Sequence, residues 1–354
     1  MITKLGSVIT EYSVRNKRDE DIPVYSVTNE HGFCTGYFSK DVASKDRTTY
    51  KIVPRGYFAY NPSRINVGSV DWQDCQDRVI VSPLYVVFGV DEKLDQQYLL
   101  HYLKSDITLT YIKALATGSV RDNLKFSILQ EFPINLRPIE EQRKIASILD
   151  RIDRVITLRK EELETLDNLV KSRFIELFGD PQKNDKGLPT VLGEALFKLS
   201  NGKALPNSKR FTEGIPAYGG NGISWYTDEI LCDYDTIIVG RVGFQSGNVH
   251  LAKAPLWVTD NAMYISNLND QECDIRYLCA LMEHIDFTRY QDAGDLKKIT
   301  QKPFMQMLYL MPPKSLQKQY IDFVEQTDKS KLAVQKSLEE LEVLKKSLMQ
   351  QYFG

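Results

Sequence analysis

Cysteine and histidine are scarce in this chain, with five of one and four of the other in 354 residues. Cys34, Cys75, Cys232, Cys273 and Cys279 form no Cys-x-x-Cys pair, and His31, His101, His250 and His284 have no ligand-like spacing. An odd, scattered set of thiols argues against a disulfide framework or a zinc site and fits a reducing compartment. No apolar run approaches the roughly 18 residues of a membrane span, and the N-terminus lacks the apolar core of a secretory signal. The expectation is a cytoplasmic protein without a membrane partner. An excess of charge is missing too: 45 Lys and Arg stand against 47 Asp and Glu, a net charge of −2. Wholesale electrostatic coating of nucleic acid is thereby excluded. A nucleic-acid binder of this balance must gather its basic residues on one face.

What the chain does have is a copy of itself. Pro138 recurs as Pro313, Gln142 as Gln317, Asp153 as Asp328, Leu163 as Leu338, Leu166 as Leu341 and Leu169 as Leu344, a constant offset of 175 positions. Lys171-Ser172 recurs as Lys346-Ser347 and Phe178-Gly179 as Phe353-Gly354 at the same offset. A period this long is a domain plus a helix, too long for a solenoid repeat. Upstream the offset drifts. Leu5-Gly6 faces Leu192-Gly193, Ile22-Pro23 faces Ile215-Pro216, Arg64 to Gly68 faces Arg241-Val242-Gly243, Tyr98-Leu99 faces Tyr277-Leu278 and Gly118 faces Gly294. One part of the repeat holds a length, while the other varies what it contacts.

The gapless part is helical. Ile145, Leu149, Ile152, Ile156, Leu163, Leu166, Val170, Phe174 and Leu177 carry a heptad-like seam, and Val334, Leu338, Leu341, Leu344 and Leu348 carry its copy. Pro138 before Glu140 and Glu141 marks a start, and Phe178-Gly179-Asp180-Pro181 marks a stop. About 39 helical residues at about 1.5 Å each span roughly 58 Å, of the same order as a DNA turn of about 34 Å. The drifting parts read as mixed domains. Ile52-Val53, Tyr57 to Tyr60, Val79 to Val81, Leu84 to Phe88, Thr236 to Gly240 and Leu256 to Thr259 are strand-like, and Asp95 to about Leu115 is helix-like. The predicted class is α+β. Two globular domains, 1–137 and 190–312, are separated by two long helices, 138–180 and 313–354, with a linker at 181–189. The helices pair as an antiparallel coiled coil with an internal pseudo-two-fold repeat.

At these residues a family resemblance enters. The stretch Gly118 to Leu124, then Phe132-Pro133-Ile134, Arg137 to Gln142, and the heptads ending in Glu176 to Pro181 resemble the specificity subunit of type I restriction-modification systems. Leu5 to Val8, Leu192 to Ala195, Lys298 to Lys302, Pro312-Pro313 and Gln317 resemble it also, so the likeness covers essentially the whole chain. The second copy departs from the first: Lys314-Ser315-Leu316-Gln317 stands where Ile139-Glu140-Glu141-Gln142 does. The resemblance implies two target recognition domains, each reading one half of a bipartite double-stranded DNA site. It implies that the helices form a spacer docking two adenine-methyltransferase subunits, which restriction (helicase-nuclease) subunits join. S-adenosylmethionine and ATP would sit on those partners. The chain itself would be non-catalytic, with no metal or cofactor of its own.

The residues agree with an absence of chemistry. Asn61-Pro62-Ser63-Arg64 lacks the second proline and the aromatic of an adenine-methyltransferase motif. Asp91-Glu92-Lys93 has an Asp-x-Lys pattern, but no Pro-Asp completes a nuclease site. Gly219 to Gly222 and Gly240 to Gly243 lack the Gly-Lys-Ser/Thr of a phosphate loop and read as tight turns near a ligand. Candidate DNA-reading residues are Arg, Lys, Asn, Gln and Tyr near glycine. In the first half they are Arg15, Lys17 and Arg18 beside Asn16; Tyr60, Asn61, Arg64 and Asn66 beside Ser63; and Arg121 and Lys125 beside Asn123. In the second half they are Lys203, Asn207, Lys209 and Arg210; Tyr218 and Asn221; Arg241 and Gln245; and Lys297 and Lys298 beside Lys302. For each one, a solvated surface charge is the bland alternative. For the whole chain, the alternative is a duplicated scaffold that binds only proteins.

Overall fold

The computed structural model describes residues 1–35, 47–116, 123–294 and 297–354. The described chain divides into two compact units, Met1–Lys160 with Lys336–Gly354, and Glu161–Gln335. The division cuts two helices of 40 residues each, Ile139–Phe178 and Lys314–Phe353. Each unit therefore holds a globular domain, the first half of the helix that follows it, and the last half of the other.

In the first unit the central sheet has four antiparallel strands: β1 (Ile9–Glu11), β2 (Phe58–Tyr60), β3 (Val70–Trp72) and β4 (Val86–Val90), in the order β1-β4-β2-β3. Phe58, Tyr60 and Phe88 are fully buried, with the Phe58 and Phe88 rings stacked at 5.0 Å. Helix α1 (Gln96–Leu103) packs Tyr98, Leu99 and Leu103 into the same core. The helix predicted over Asp95 to about Leu115 is broken: α1 stops at Leu103 and a second helix runs from Asp106 to Ala116. Ser105 causes the break. Its Oγ donates to the Tyr102 carbonyl and accepts from the Thr108 backbone N–H, ending one helix and capping the next. Short strands Ile2–Lys4 and Pro133–Asn135 then pair and lead into the long helix α2 (Ile139–Phe178).

The second unit repeats this plan. Strands β5 (Phe197–Asn201), β6 (Thr236–Gly240), β7 (Val249–Ala252) and β8 (Ala262–Leu268) form a sheet of order β5-β8-β6-β7. Helix α3 (Ile275–Glu283) covers it, strands Thr190–Leu192 and Leu308–Leu310 pair, and α4 (Lys314–Phe353) follows. Register fixes the equivalences. Tyr60 pairs with Val70 and Val86, as Val239 pairs with Val249 and Met263. The Tyr98 hydroxyl donates to the Asn135 carbonyl as the Tyr277 hydroxyl donates to that of Leu310. Two alignments read from sequence shift under this register. The Leu5 N–H donates to the Phe132 carbonyl where the Gly193 N–H donates to that of Met307, so Leu5, not Gly6, matches Gly193. Likewise the Leu124 N–H donates to the Pro62 carbonyl and the Ile299 N–H to that of Arg241. Arg241 thus matches Pro62 rather than Arg64.

One side chain in each copy ties domain to helix. Gln142 is fully buried. Its Oε1 accepts from the Asp95 N–H at 2.9 Å, and its Nε2 donates to the carbonyls of Lys93 and Arg137, each at 2.8 Å. Gln317, also fully buried, accepts from the Asp274 N–H and donates to the carbonyls of Glu272 and Pro312, each at 2.9 Å. Asp95 and Asp274 in turn cap α1 and α3 through their carboxylates. The glutamine therefore fixes the first turn of the long helix against the N-cap of the domain helix.

The far ends of the long helices carry aromatic plugs. In the second unit Phe174 and Phe178 of α2 are fully buried against Tyr277 and Tyr320. In the first unit Phe353 of α4 packs on Tyr98 and Tyr102. The helices run antiparallel within each unit: Asp153 meets Lys345 and Lys160 meets Glu342 in the first, and Asp167 meets Lys331 in the second. Gly179, at φ +75°, ends α2 with its N–H on the Ile175 carbonyl, the left-handed stop its position after Phe178 predicts. Of the seam residues, Ile145, Leu149, Ile156, Val334 and Leu338 are buried, and Ile152, Leu163, Leu166, Val170, Leu341 and Leu348 are half-buried. Leu344 is the exception, at 47% exposure. The inward rung after Leu341 falls to Lys345, whose ammonium is held 2.5 Å from the Asp153 carboxylate. An apolar repeat placed an ion pair's neighbour on the surface.

Replacing Gln142 or Gln317 with alanine leaves one backbone N–H and two carbonyls, at a part-buried junction, without these partners. Each change is expected to cost about 1–3 kcal/mol or more in denaturant unfolding of the chain. Hydrogen exchange should quicken at Asp95 in the first variant and at Asp274 in the second. A loss under about 0.5 kcal/mol, the range of an ordinary surface substitution, would contradict this role.

Candidate nucleic-acid interface

In the second unit, loops at one end of the sheet converge because three glycines allow it. A Cβ on Gly240 would lie 2.7 Å from the Gly220 carbonyl, and one on Gly220 only 3.2 Å from the Gly240 Cα. A Cβ on Gly202 would strike the Thr259 carbonyl at 2.0 Å. A side chain at Gly202 or Gly240 would force the backbone apart, and one at Gly220 would need its neighbour to give. These close approaches bring together the turn at Gly220-Asn221, the start of the β6–β7 connection at Arg241 and the strand exit at Lys203. The segment Lys297-Lys298 joins them: the Gly243 N–H donates to the Lys297 carbonyl at 2.8 Å, and Val242 forms a bridge with Lys298. Lys203, Asn221, Gln245 and Lys298 are exposed here, and Arg241 and Lys297 half-buried. The Arg241 Nη1 donates to the Asp260 carbonyl at 3.3 Å, which aims the guanidinium without neutralising it. Beside it lies a cavity of about 520 Å³, lined by Asn201, Arg241, Met263, Thr300, Gln301, Lys302 and Met305.

Other candidates of this half, Asn207 apart, are engaged within the fold. The Lys209 ammonium sits 3.0 Å from Asp228 and 3.2 Å from Glu229, and these carboxylates, Asp228 first, raise its pKa. The Arg210 guanidinium lies 4.0 Å over the Trp225 ring and donates twice to the Leu205 carbonyl. Tyr218 packs against the cluster of Cys232, Ile238, Leu256 and Val258. Asn207 is exposed in a short helical turn, Asn207–Lys209.

The first unit brings two of its three clusters together. Leu124 docks on Pro62, so Asn123 and Lys125, both exposed, lie beside the Asn61 to Asn66 segment. Arg121 lies outside the described residues. Arg64 is exposed, and Asn66 half-buried. Tyr60 must be withdrawn as a DNA contact. It is fully buried, its hydroxyl donates to the Leu124 carbonyl at 3.1 Å, and burial pushes its pKa up. Its alternation in β2 points it into the core, where it positions the loop rather than reading DNA. Asn61 caps its own turn, its Oδ1 accepting from the Ser63 N–H and hydroxyl. That explains Asn-Pro here without any adenine chemistry. Arg15, Lys17 and Arg18 are exposed, while Asn16 is buried and bonded to the backbone of Glu20. Arg15 bridges to Lys51 on a separate two-stranded sheet.

Two residues escaped the sequence reading. Asn29 tips the hairpin Ser26–Thr28/Gly32–Cys34 and approaches Gly68 so closely that a Cβ there would lie 2.4 Å from its Oδ1. A polar turn between Val27 and Phe33 was the available signal. The other is Phe244, at 91% exposure on the β6–β7 connection.

Among the described residues no group of three or more His, Cys, Asp or Glu could hold a metal, and no helix is long and apolar enough to cross a membrane. Asp91 accepts from the Lys93 N–H and so forms a turn after β4. Cys273 is buried, and burial pushes its thiol up to about 12.

Comparison with known proteins bears on what such loops serve. Residues 7–168 match the family model described as type I restriction modification DNA specificity domain. Over 92 residues the chain is 34% identical to the type I restriction enzyme MjaIX specificity subunit of Methanocaldococcus jannaschii, a match covering 25% of this chain and 21% of that relative. Over 343 residues it is 22% identical to the putative MjaX specificity subunit of the same organism, covering 88% of this chain and 80% of that one. In fold, it is similar to the type I restriction-modification S subunit of M. genitalium over 100% of this chain and 96% of that one, with a TM-score of 0.64 at 18% identity. A chain from a structure on complex assembly and conformational transition of the type I R-M system matches over 100% and 97%, with a TM-score of 0.62 at 17% identity. Residues 7–168 thus match the type I specificity domain, and the chain along its length is similar in fold to solved type I S subunits.

Proposed function

We propose that this chain selects the DNA sequence on which a type I complex acts, each globular domain reading one half of a bipartite site. The observation that carries the reading is the repeated connection between the second and third strands of each sheet. It runs from Tyr60 to Val70 in one copy and from Val239 to Val249 in the other, between strands of the same register. In both copies a second segment, at Leu124 or Ile299, hydrogen-bonds to it. The scaffold is held constant while the side chains on it differ: Asn61, Arg64 and Asn66 in the first copy, Arg241, Gln245, Lys297 and Lys298 in the second. That is what two readers of two different half-sites require. Arginine and lysine favour guanine edges, asparagine and glutamine adenine edges, and the same groups also hold phosphates.

In this reading the long helices set the spacing of the half-sites and dock the methyltransferase subunits, which methylate adenine with S-adenosylmethionine. The ATP-dependent restriction subunits join for cleavage. The chain contributes no catalytic group and no cofactor of its own, and its DNA substrate places it in the cytoplasm.

Exchanging residues 1–137 for the corresponding domain of a relative should alter one half-site in the methylome of a host carrying the complex. If both half-sites changed together, the two-reader model would fail. Arg241→Ala should weaken specific binding by the assembled complex. A bidentate guanine contact costs about 1–3 kcal/mol and relaxes one base position. A phosphate contact instead weakens all sequences alike and lowers the salt slope by about one unit. Lys209→Ala, whose charge is already met by two carboxylates, should leave binding unchanged. Equal losses in both variants, or a large fall in melting temperature with affinity intact for Arg241→Ala, would contradict this assignment.

A further inference from the structure

Phe244 is out of place on a folded surface. It is the most exposed phenylalanine among the described residues, at 91% of its full accessibility. An isolated, fully presented aromatic side chain costs contact with water and gains nothing within the unit. Nor is it there because the loop is slack. The Gly243 N–H donates to the Lys297 carbonyl, the Ser246 N–H to the Gly243 carbonyl, the Gly247 N–H to the Gly240 carbonyl and the Asn248 N–H to the Gln245 carbonyl. Gln245 and Asn248 are joined by their amides at 3.1 Å, and the Gln291 amide holds the Ser246 carbonyl at 2.7 Å. Gly243 at φ +94° and Gly247 at φ +97° make the two turns that throw the intervening residues outward. The ring is thus presented on a clamped loop between Arg241 and Gln245, to which the Lys297-Lys298 segment is joined through Gly243 and Val242. In the first unit the residue on the matching rung is Ile65, which is buried. Among the described residues of the first unit, no aromatic ring is presented on this connection.

Resting on the DNA-reading role proposed above, we propose that Phe244 is a wedge that inserts between two stacked base pairs of the half-site read by residues 190–312. A phenyl ring has no group to hydrogen-bond a base edge, but both its faces can stack on bases. A rigid loop beside cationic side chains meets the requirements of such a wedge. The cations hold the flanking phosphates, the ring replaces the stacking it disrupts, and the duplex kinks there. The sequence read at that step would then be selected by how easily it unstacks, with pyrimidine–purine steps favoured, rather than by hydrogen bonds. The complementary domain, lacking the ring, would leave its half-site stacked.

The test uses the assembled methyltransferase complex on a duplex carrying its methylation-mapped site, with 2-aminopurine placed at each step of this half-site in turn. The wild-type complex should raise the fluorescence several-fold at one step. Phe244→Ala should abolish that rise and weaken specific binding about tenfold with melting temperature unchanged, because the side chain supports nothing in the fold. Phe244→Leu should retain part of both effects. If the wild-type complex prefers its site but no step brightens, or Phe244→Ala brightens it equally, the wedge is overturned while DNA reading stands. Replacing thymine by uracil gives another outcome. A loss equal to that of Phe244→Ala, without any brightening, would mean the ring edge touches a thymine methyl, and the wedge would again be wrong. No preference for the mapped site over a scrambled duplex would sink the DNA-reading proposal and the wedge with it.

Discussion

The fold turns on a buried amide. Gln142 and Gln317 each satisfy three backbone groups from two different stretches of chain: the exit of the sheet, the cap of the domain helix and the residue leading into the long helix. No apolar residue can occupy either position without stranding those groups, and no shift of helix register preserves the geometry. The start of each long helix is thereby referenced to its own domain. The aromatic residues of the closing turns, Phe178 and Phe353, then meet Tyr277 and Tyr98, the tyrosines next to the caps that the glutamines hold. Start and stop of both helices are therefore defined against the same spot in each copy, which is why the repeat keeps its length through this region.

Around that shared frame the two copies use different chemistry. About two turns after the glutamine, the Asp150 carboxylate accepts from Gln97 and pairs with His101 at 2.8 Å. Burial raises its pKa, but the bonds from His101 and Gln97 outweigh burial and hold it below the ordinary carboxylate value. The second copy places Glu325 at that position and pairs it with Arg276, a partner charged at every accessible pH. The Arg276–Glu325 pair is half-exposed, of the kind that contributes little to stability, whereas His101 is buried within its pair. The loops at the sheet end differ as well: one copy builds its close approach from Asn29 and Gly68, the other from Gly220 and Gly240.

Much of the architecture was legible in the sequence, for a physical reason. Helix periodicity, a glycine stop after Phe178 and a repeat without gaps are local or self-referencing signals, and they placed both long helices within a residue or two. The sheets were legible where β-branched or aromatic residues cluster, as at Ile52-Val53, Tyr57 to Tyr60, Val79 to Val81 and Thr236 to Gly240. Strands of three residues such as Ile9–Glu11 and Val70–Trp72 carry too little pattern to stand out. The break at Ser105 and the outward turn of Leu344 came from competition that sequence cannot weigh, a hydroxyl cap in one case and the Lys345–Asp153 pair in the other. The candidate site was partly legible. Residue type and nearby glycine singled out Arg241, Asn221 and Lys298, whose segments the fold brings together. They could not tell that Tyr60 points inward, that Lys209 is already paired, or that Arg64 and Arg241 stand on different rungs, because each of those depends on the partner strand.

In the proposed function, length and recognition are separate properties of this chain, one held by the helices and the other by the sheet-end loops. The direct measurement is the methylome of a host whose complex carries one extra heptad in each helix, inserted between Ile152 and Leu166 and between Thr327 and Leu341. The account predicts the same bases in both half-sites, with a changed number of unspecified bases between them. New half-site bases at an unchanged spacing would contradict it.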